Sequence, residues 1–241
     1  MRYAILSDIH SNLEALTSVL SKIDTLRVDE VISLGDIVGY NADPNECIEI
    51  IRKRGIRAIM GNHDSRAAGL EEPADFNPVA AEMVYWTRKQ LTKENIEFLK
   101  GLPGKLAFEG RFLAFHGWMD STDGYILSAS DAAYNFSLMG TSTLAFFGHT
   151  HVRLAYLEKD GVIEADTASR LKIRKGLRYL VNPGAVGQPR DGDPRSSFLV
   201  YDDKKGEITF FRVGYDMERT REKIIGAGLP QTLAERLRLG M

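Results

Sequence analysis

Along the first two-thirds of the chain one pattern recurs: a short apolar run that stops at a cluster of glycine, aspartate, asparagine or histidine. The runs cover residues 3–6, 31–34, 56–60, 112–115, 144–147 and 179–181. The clusters after them are Ser7-Asp8-Ile9-His10, Gly35-Asp36, Gly61-Asn62-His63-Asp64, His116-Gly117, Gly148-His149-Thr150-His151 and Asn182-Pro183-Gly184. Short, continuous apolar runs bounded by turn residues predict strands buried on both faces.

Between the early runs lie amphipathic segments with helix-start signals. Ser11-Asn12-Leu13-Glu14 reads as a capping box ahead of Leu16, Val19, Leu20 and Ile23. Asp43-Pro44-Asn45-Glu46 sets a cap, a first-turn proline and an acid ahead of residues 48–54. Strand, helix, strand, helix, strand predicts a parallel α/β start. Helices are expected over 79–90 and 92–100. After about residue 144 the texture turns β-rich, with strands expected at 152–158, 162–165, 170–174, 178–181, 197–203 and 207–213, which reads as a second sheet. Residues 214–241 predict two short helices, 217–225 and 231–239, broken at Gly226-Ala227-Gly228-Leu229-Pro230. No Pro/Ser/Gly linker separates the halves, so one domain over 1–241 is expected, with a core of 1–213 and a helical extension. The architecture is an α/β (α+β) four-layer sandwich of two facing mixed sheets flanked by helices, with the polar clusters at the carboxyl ends of the first sheet's strands, where open α/β sheets bind ligands.

Composition narrows the chemistry. The 241 residues carry 31 Lys and Arg against 33 Asp and Glu, a formal charge of -2, so no bulk positive field attracts duplex nucleic acid or anionic membrane. One cysteine, Cys47, excludes an intramolecular disulfide and a thiolate-rich metal knuckle, and it reads as a small buried apolar residue. The start turns polar too soon for a signal peptide, and no apolar run reaches the ~20 residues of a membrane span, so a cytoplasmic location without a membrane partner is expected. Any metal chemistry must therefore use carboxylates and the five histidines at 10, 63, 116, 149 and 151.

Asp8 and His10 are two residues apart at a strand's end, as are His149 and His151. Period-two alternation lets each pair face one side. With Asp36, Asn62 and His116, the chain offers two carboxylates, one amide oxygen and four imidazoles, too many for one ion and about right for two. Two divalent cations with Asp8, Asp36 and a bridging hydroxide leave a centre near +1, which attracts phosphate. Two metals ~3.5 to 4 Å apart make a nucleophile of water at neutral pH and clamp an in-line displacement. His63 is then the proton donor or oxyanion stabiliser, with Asp64 orienting its ring. Mixed His and carboxylate donors suit Mn, with Fe, Zn, Co or Ni as alternatives, better than Ca or Mg.

These five motifs, in this order, resemble the calcineurin-like metallophosphoesterase superfamily over roughly residues 1–213. The resemblance implies Asp8, His10, Asp36 and His151 on one metal, and Asp36, Asn62, His116 and His149 on the other, with Asp36 bridging and His63 catalytic. The chain looks most like the small one-domain bacterial and archaeal phosphodiesterase branch, whose members include diadenosine tetraphosphatases. Gly35-Asp36-Ile37-Val38-Gly39-Tyr40 and Asp64 stand where phosphoprotein phosphatases carry Asp-Arg-Gly and Glu, which argues against a phosphoprotein substrate.

A phosphodiesterase acting on a small phosphorylated compound or a nucleotide is thus expected, through attack of metal-bound hydroxide. A phosphomonoesterase or protein phosphatase, a non-catalytic scaffold of the same fold and a nuclease are the rivals. Asn12, Arg66 and Arg190 are candidate substrate contacts, each with a plainer alternative as a helix or loop residue. Tyr40, Phe76, Trp118 and Tyr125 lie in loops after motif strands and either stack on a base or pack in the core. Loops 65–80 and 118–130 are expected to shape the pocket. Arg221, Arg236 and Arg238 read as a solvated helix face, while Leu229, Leu233 and Leu237 cover either the core or the partner in a homodimer.

Overall fold

A computed structural model describes residues 1–241. The first half runs β1 (Arg2–Leu6), α1 (Leu13–Asp24), β2 (Glu30–Ser33), α2 (Pro44–Lys53), β3 (Arg57–Ala58), α3 (Asn62–Ala67), α4 (Pro78–Gln90) and α5 (Lys93–Lys100). Then follow β4 (Lys105–Phe108), β5 (Phe112–Phe115), α6 (Ala129–Leu138), β6 (Leu144–Phe146), β7 (Arg153–Lys159), β8 (Val162–Asp166) and β9 (Arg170–Lys172). The chain closes with β10 (Arg178–Pro183), β11 (Ser196–Asp202), β12 (Glu207–Val213), α7 (Met217–Gly226) and α8 (Gln231–Leu239).

Two mixed six-stranded sheets face each other, in the orders β3-β2-β1-β11-β12-β9 and β4-β5-β6-β10-β7-β8. Strand β1 shows why the apolar runs are continuous. Tyr3 and Ile5 point between the sheets with Ile32, Phe112, Phe146, Tyr179 and Leu199. Ala4 and Leu6 point the other way, onto Leu16, Val19, Leu20 and Ile48 of the helices. Both faces of the pleat are covered, so neither needs polar residues. On the far side, α6 covers the second sheet through Ala132 and Phe136, against Phe115, Phe147 and Leu180.

The late strands do not form a sheet of their own. β11 pairs antiparallel with β1, and β12 and β9 extend that first sheet, whereas β5 and β6 join β10 in the second. The polar clusters are therefore not on one sheet: those after β1, β2 and β3 end the first, and those after β5 and β6 end the second. The site forms where both sheets finish.

Three local differences have plain causes. Ser11 does not cap α1; Asn12 does, its side chain accepting from the Ala15 amide, while the Ser11 hydroxyl accepts from Gly39 and Glu14 pairs with Lys223. The six-residue α3 starts inside the third polar cluster, where ligand-type residues mask a helix signal. β4 is short and alternates exposed with half-buried residues. The C-terminal leucines cover the core: Leu229, Leu233 and Leu237 are buried with Tyr40, Ala80 and Met83. No helix is long and apolar enough to cross a membrane.

Candidate metal centre

Each strand-end cluster turns sharply after its strand. Asp8, His10, Asp36, His149 and His151 all adopt positive φ, between 48° and 65°. Non-glycine residues seldom occupy this left-handed region, and such strain concentrates at functional sites. The Asp8/His10 and His149/His151 pairs thus share a side through left-handed turns beyond β1 and β6, not through the alternation of an extended strand. The turns are locked together, because Asp8 N–H donates to Gly35 and His10 N–H to Asp36.

Close backbone approach accounts for two glycines. A Cβ on Gly35 would lie 2.6 Å from the Gly61 nitrogen, and one on Gly61 would collide with the Asp36 carboxylate. No side chain fits between these loops without moving Asp36.

Two groups of donor atoms result. Asp8, His10, Asp36 and His151 form one; Asp36, His116 and His149 form the other, and within each group the donor atoms lie within 4.8 Å of one another. All six residues are buried. Asp36 belongs to both. Its Oδ1 accepts from the His63 amide at 2.9 Å, and its Oδ2 lies 3.5 Å from His10 Nε2 and 3.3 Å from His116 Nε2.

Backbone carbonyls set the imidazole tautomers. His10 Nδ1 donates to Val38 at 3.0 Å, His116 Nδ1 to Leu34 at 2.7 Å and His151 Nδ1 to Gln188 at 2.6 Å. A carbonyl only accepts, so each Nδ1 carries a proton and each Nε2 faces the centre. His149 is reversed: its Nε2 meets the Asp123 carbonyl at 3.2 Å, leaving Nδ1 as the donor atom.

The electrostatics agree. Burial pushes His10 well below the usual imidazole range, His149 down to about 3 and His63 down to about 4, so these rings are neutral at pH 7. Burial, helped by Arg190, also lowers His151. Burial opposes ionisation of Asp8 and Asp36, but the adjacent imidazoles, His151 for Asp8 and His116 for Asp36, outweigh it and hold both carboxyls low. His116 moves the other way: against burial, the Asp36 carboxylate lifts it to about 10, a measure of how strongly a cation beside Asp36 is favoured.

The buried atoms Asp36 Oδ2, Asn62 Oδ1 and His116 Nε2 have no hydrogen-bond partner. Buried polar atoms are normally satisfied. Lone-pair donors left over in one place, of mixed nitrogen and oxygen type, fit borderline divalent cations.

Other predicted residues fall on either side of this centre. His63 lies beside it, its ring 4.9 Å from that of His10 and 4.6 Å from that of Tyr40, with a buried Nδ1 that has no partner. Asp64 does not orient that ring. Its two oxygens accept from the Val38 and Gly61 amides, so it fastens the turn after β2 to the start of α3. Asn12 is spent on structure: besides capping α1 it donates to the Gly187 carbonyl at 2.9 Å and accepts from Thr220. Arg66 is not free for a phosphate either, because it pairs with Asp75, Asp123 and Glu71 and stacks on Phe76. Arg190 is half-buried at the rim, over the Tyr40 ring.

A cavity of about 240 Å³ opens beside the centre, lined among others by Asn62, His63, Phe76, Asp123, Tyr125 and His149. Loops 65–80 and 118–130 do shape it. Asp123 is the residue that sequence reasoning missed. Its carboxylate accepts from Asn62 Nδ2 at 3.1 Å and pairs with Arg66, and its carbonyl meets His149. It thereby turns the Asn62 oxygen inward and fixes the His149 tautomer. An acid in a Ser/Thr/Gly loop carries no signal of such a role.

Comparison with known proteins matches residues 1–206 to the calcineurin-like phosphoesterase superfamily domain. The chain belongs to this superfamily and is a metal-dependent phosphoester hydrolase. It is 40% identical to a metallophosphoesterase from Sphaerobacter thermophilus, with a TM-score of 0.86 over 100% of this chain and 99% of the other. An uncharacterised protein of Methanocaldococcus jannaschii is 37% identical, over 98% of this chain and 97% of its own. A protein of Pyrococcus horikoshii OT3, 22% identical, shares the fold with a TM-score of 0.83 over 100% and 98% of the two chains.

Proposed function

We propose that the protein hydrolyses a small phosphodiester or nucleoside polyphosphate at a two-cation centre. Asp8, His10, Asp36 and His151 would hold one cation, and Asp36, Asn62, His116 and His149 the other. The position of Asp36 Oδ2 between His10 Nε2 and His116 Nε2 carries this reading, because one carboxylate serves both donor groups. Divalent cations there, Mn first among them, would supply Lewis acidity that makes water nucleophilic at neutral pH and draws in phosphate oxygens.

The chain's own residues do the rest. Carbonyls of Val38, Leu34 and Gln188 hold three imidazoles with Nε2 inward, so the rings need no reorientation when a cation is bound. His63, held neutral by burial, is within reach of the same space and offers an N–H to the oxygen on which charge develops, and then a proton path to the leaving group. Tyr40 and Phe76 pack against its ring and exclude water from two sides. The exposed Tyr125, its ring tilted against that of His149 with centroids 4.0 Å apart, offers an aromatic face to the ester's organic group.

The direct experiment strips the protein of metal, reloads it and assays bis(4-nitrophenyl) phosphate. Turnover restored by Mn is expected; no turnover with Mn, Fe, Co, Ni or Zn would sink the proposal.

A further inference from the structure

Two guanidiniums lie against one aromatic ring, Tyr40, at the rim of the metal centre. Arg190 lies in the loop after β10, with its Cζ 5.7 Å from the centroid of the Tyr40 ring. Arg236, on α8, lies 5.9 Å from the same centroid. Tyr40 in turn touches the His10 and His63 rings, at 4.7 and 4.6 Å.

Both arginines are half-buried, and neither is paired with an aspartate or glutamate. Arg190 donates through Nη2 to the Gln188 side chain, and its buried Nε has no acceptor. Arg236 donates through Nε to an oxygen of Met241, the last residue of the sequence, at 2.7 Å. Two other arginines close to loops of the site are paired: Arg212 lies against Asp191 and Asp193, and Arg66 against three carboxylates. Like charges brought near one another repel, and guanidiniums suit the bidentate recognition of phosphate, so a bound phosphate would relieve that repulsion. The proximity is felt electrostatically, since burial and then Arg190 lower the Arg236 pKa.

We propose that Arg190 and Arg236 form a second phosphate subsite, so that the substrate carries contiguous phosphates, with the scissile group at the metal centre and its neighbour against the arginine pair. This rests on the phosphoesterase reading above and selects, within it, a polyphosphate over a simple phosphodiester or monoester. It also gives the C-terminal extension a task. Residues 217–239 lie beyond the family match at 206, and the burial of Leu233 and Leu237 beside Tyr40 fixes α8 where Arg236 reaches the rim.

The test is calorimetric titration of the Mn-loaded protein with orthophosphate and with imidodiphosphate, at one fixed free Mn concentration in cell and syringe. The wild type is expected to prefer imidodiphosphate by about tenfold or more. Arg190→Gln and Arg236→Gln should each reduce that preference about tenfold, while Arg236→Lys, which keeps the charge, should retain part of it. A wild-type protein that binds orthophosphate but shows no preference overturns the subsite and leaves the phosphoesterase reading standing. Binding of neither anion overturns both. A preference unchanged in both glutamine variants also overturns the subsite.

Discussion

His10 and His151 face each other Nε2 to Nε2 at 3.1 Å, although each has already committed its Nδ1 proton to a backbone carbonyl. Two neutral imidazoles so arranged point lone pair at lone pair. That contact is repulsive unless a cation takes both, so the repulsion itself is built into a metal site. The same logic makes the carbonyl acceptors part of the site.

Asp36 serves both donor groups, so Asp36→Asn should lower metal stoichiometry from two to one or none and reduce turnover by at least about a thousandfold. Elemental analysis of the dialysed protein, with parallel kinetics, checks this. Two tightly held metals in the variant would contradict a bridging role.

His63 contributes no donor atom to either group, so His63→Ala should keep its metals and lose about a hundredfold to ten-thousandfold in kcat. Loss of metal together with activity would show that the ring supports the centre rather than the chemistry.

Asp123 orients Asn62 and His149. Asp123→Ala should weaken metal binding about tenfold to a hundredfold, the usual effect of removing a group that positions a ligand. Competition with a chelator reads this out, and an unchanged affinity would assign Asp123 to loop structure through Arg66 alone.

Four buried imidazoles, His10, His63, His149 and His151, have folded-state pKa values below their unfolded ones, with burial the main cause in each. Below pH 6.5 the unfolded chain takes these protons and the folded one does not, so stability is lost as pH falls from 6.5 toward 4. Asp64 acts oppositely, because burial raises it to about 7 and its folded form gains a proton in the same range. His116, lifted against burial to about 10 by Asp36, adds stability that is already complete below pH 6.5 and so does not change from there downward. Four groups outweigh one. The melting temperature of the metal-free protein should therefore fall between pH 7 and 4.5; a flat or rising profile would contradict the assignment.

Much of this site was legible because its donors sit directly after apolar strands, and the order of clusters survives without coordinates. The physical reason inferred for their pairing was nevertheless wrong: left-handed turns, not strand alternation, aim Asp8 with His10 and His149 with His151. The sheet partition was also misread, because the pairing of β11 with β1 joins residues some 200 apart in the chain, and no local pattern reports it. Asn12 and Arg66 had the right types for phosphate contacts, but capping and ion pairing claim them. Arg236 was invisible for the converse reason. On its helix it reads as a solvated charge, and only the packing of α8 against Tyr40 brings it to the site.

The central claim is a pair of cations sharing Asp36, and anomalous diffraction from crystals soaked in Mn tests it most directly. The account predicts two peaks about 3.5 to 4 Å apart, with the Asp36 carboxylate between them, His10 and His151 on one side and His116 and His149 on the other. A single peak, or peaks away from Asp36, would contradict it.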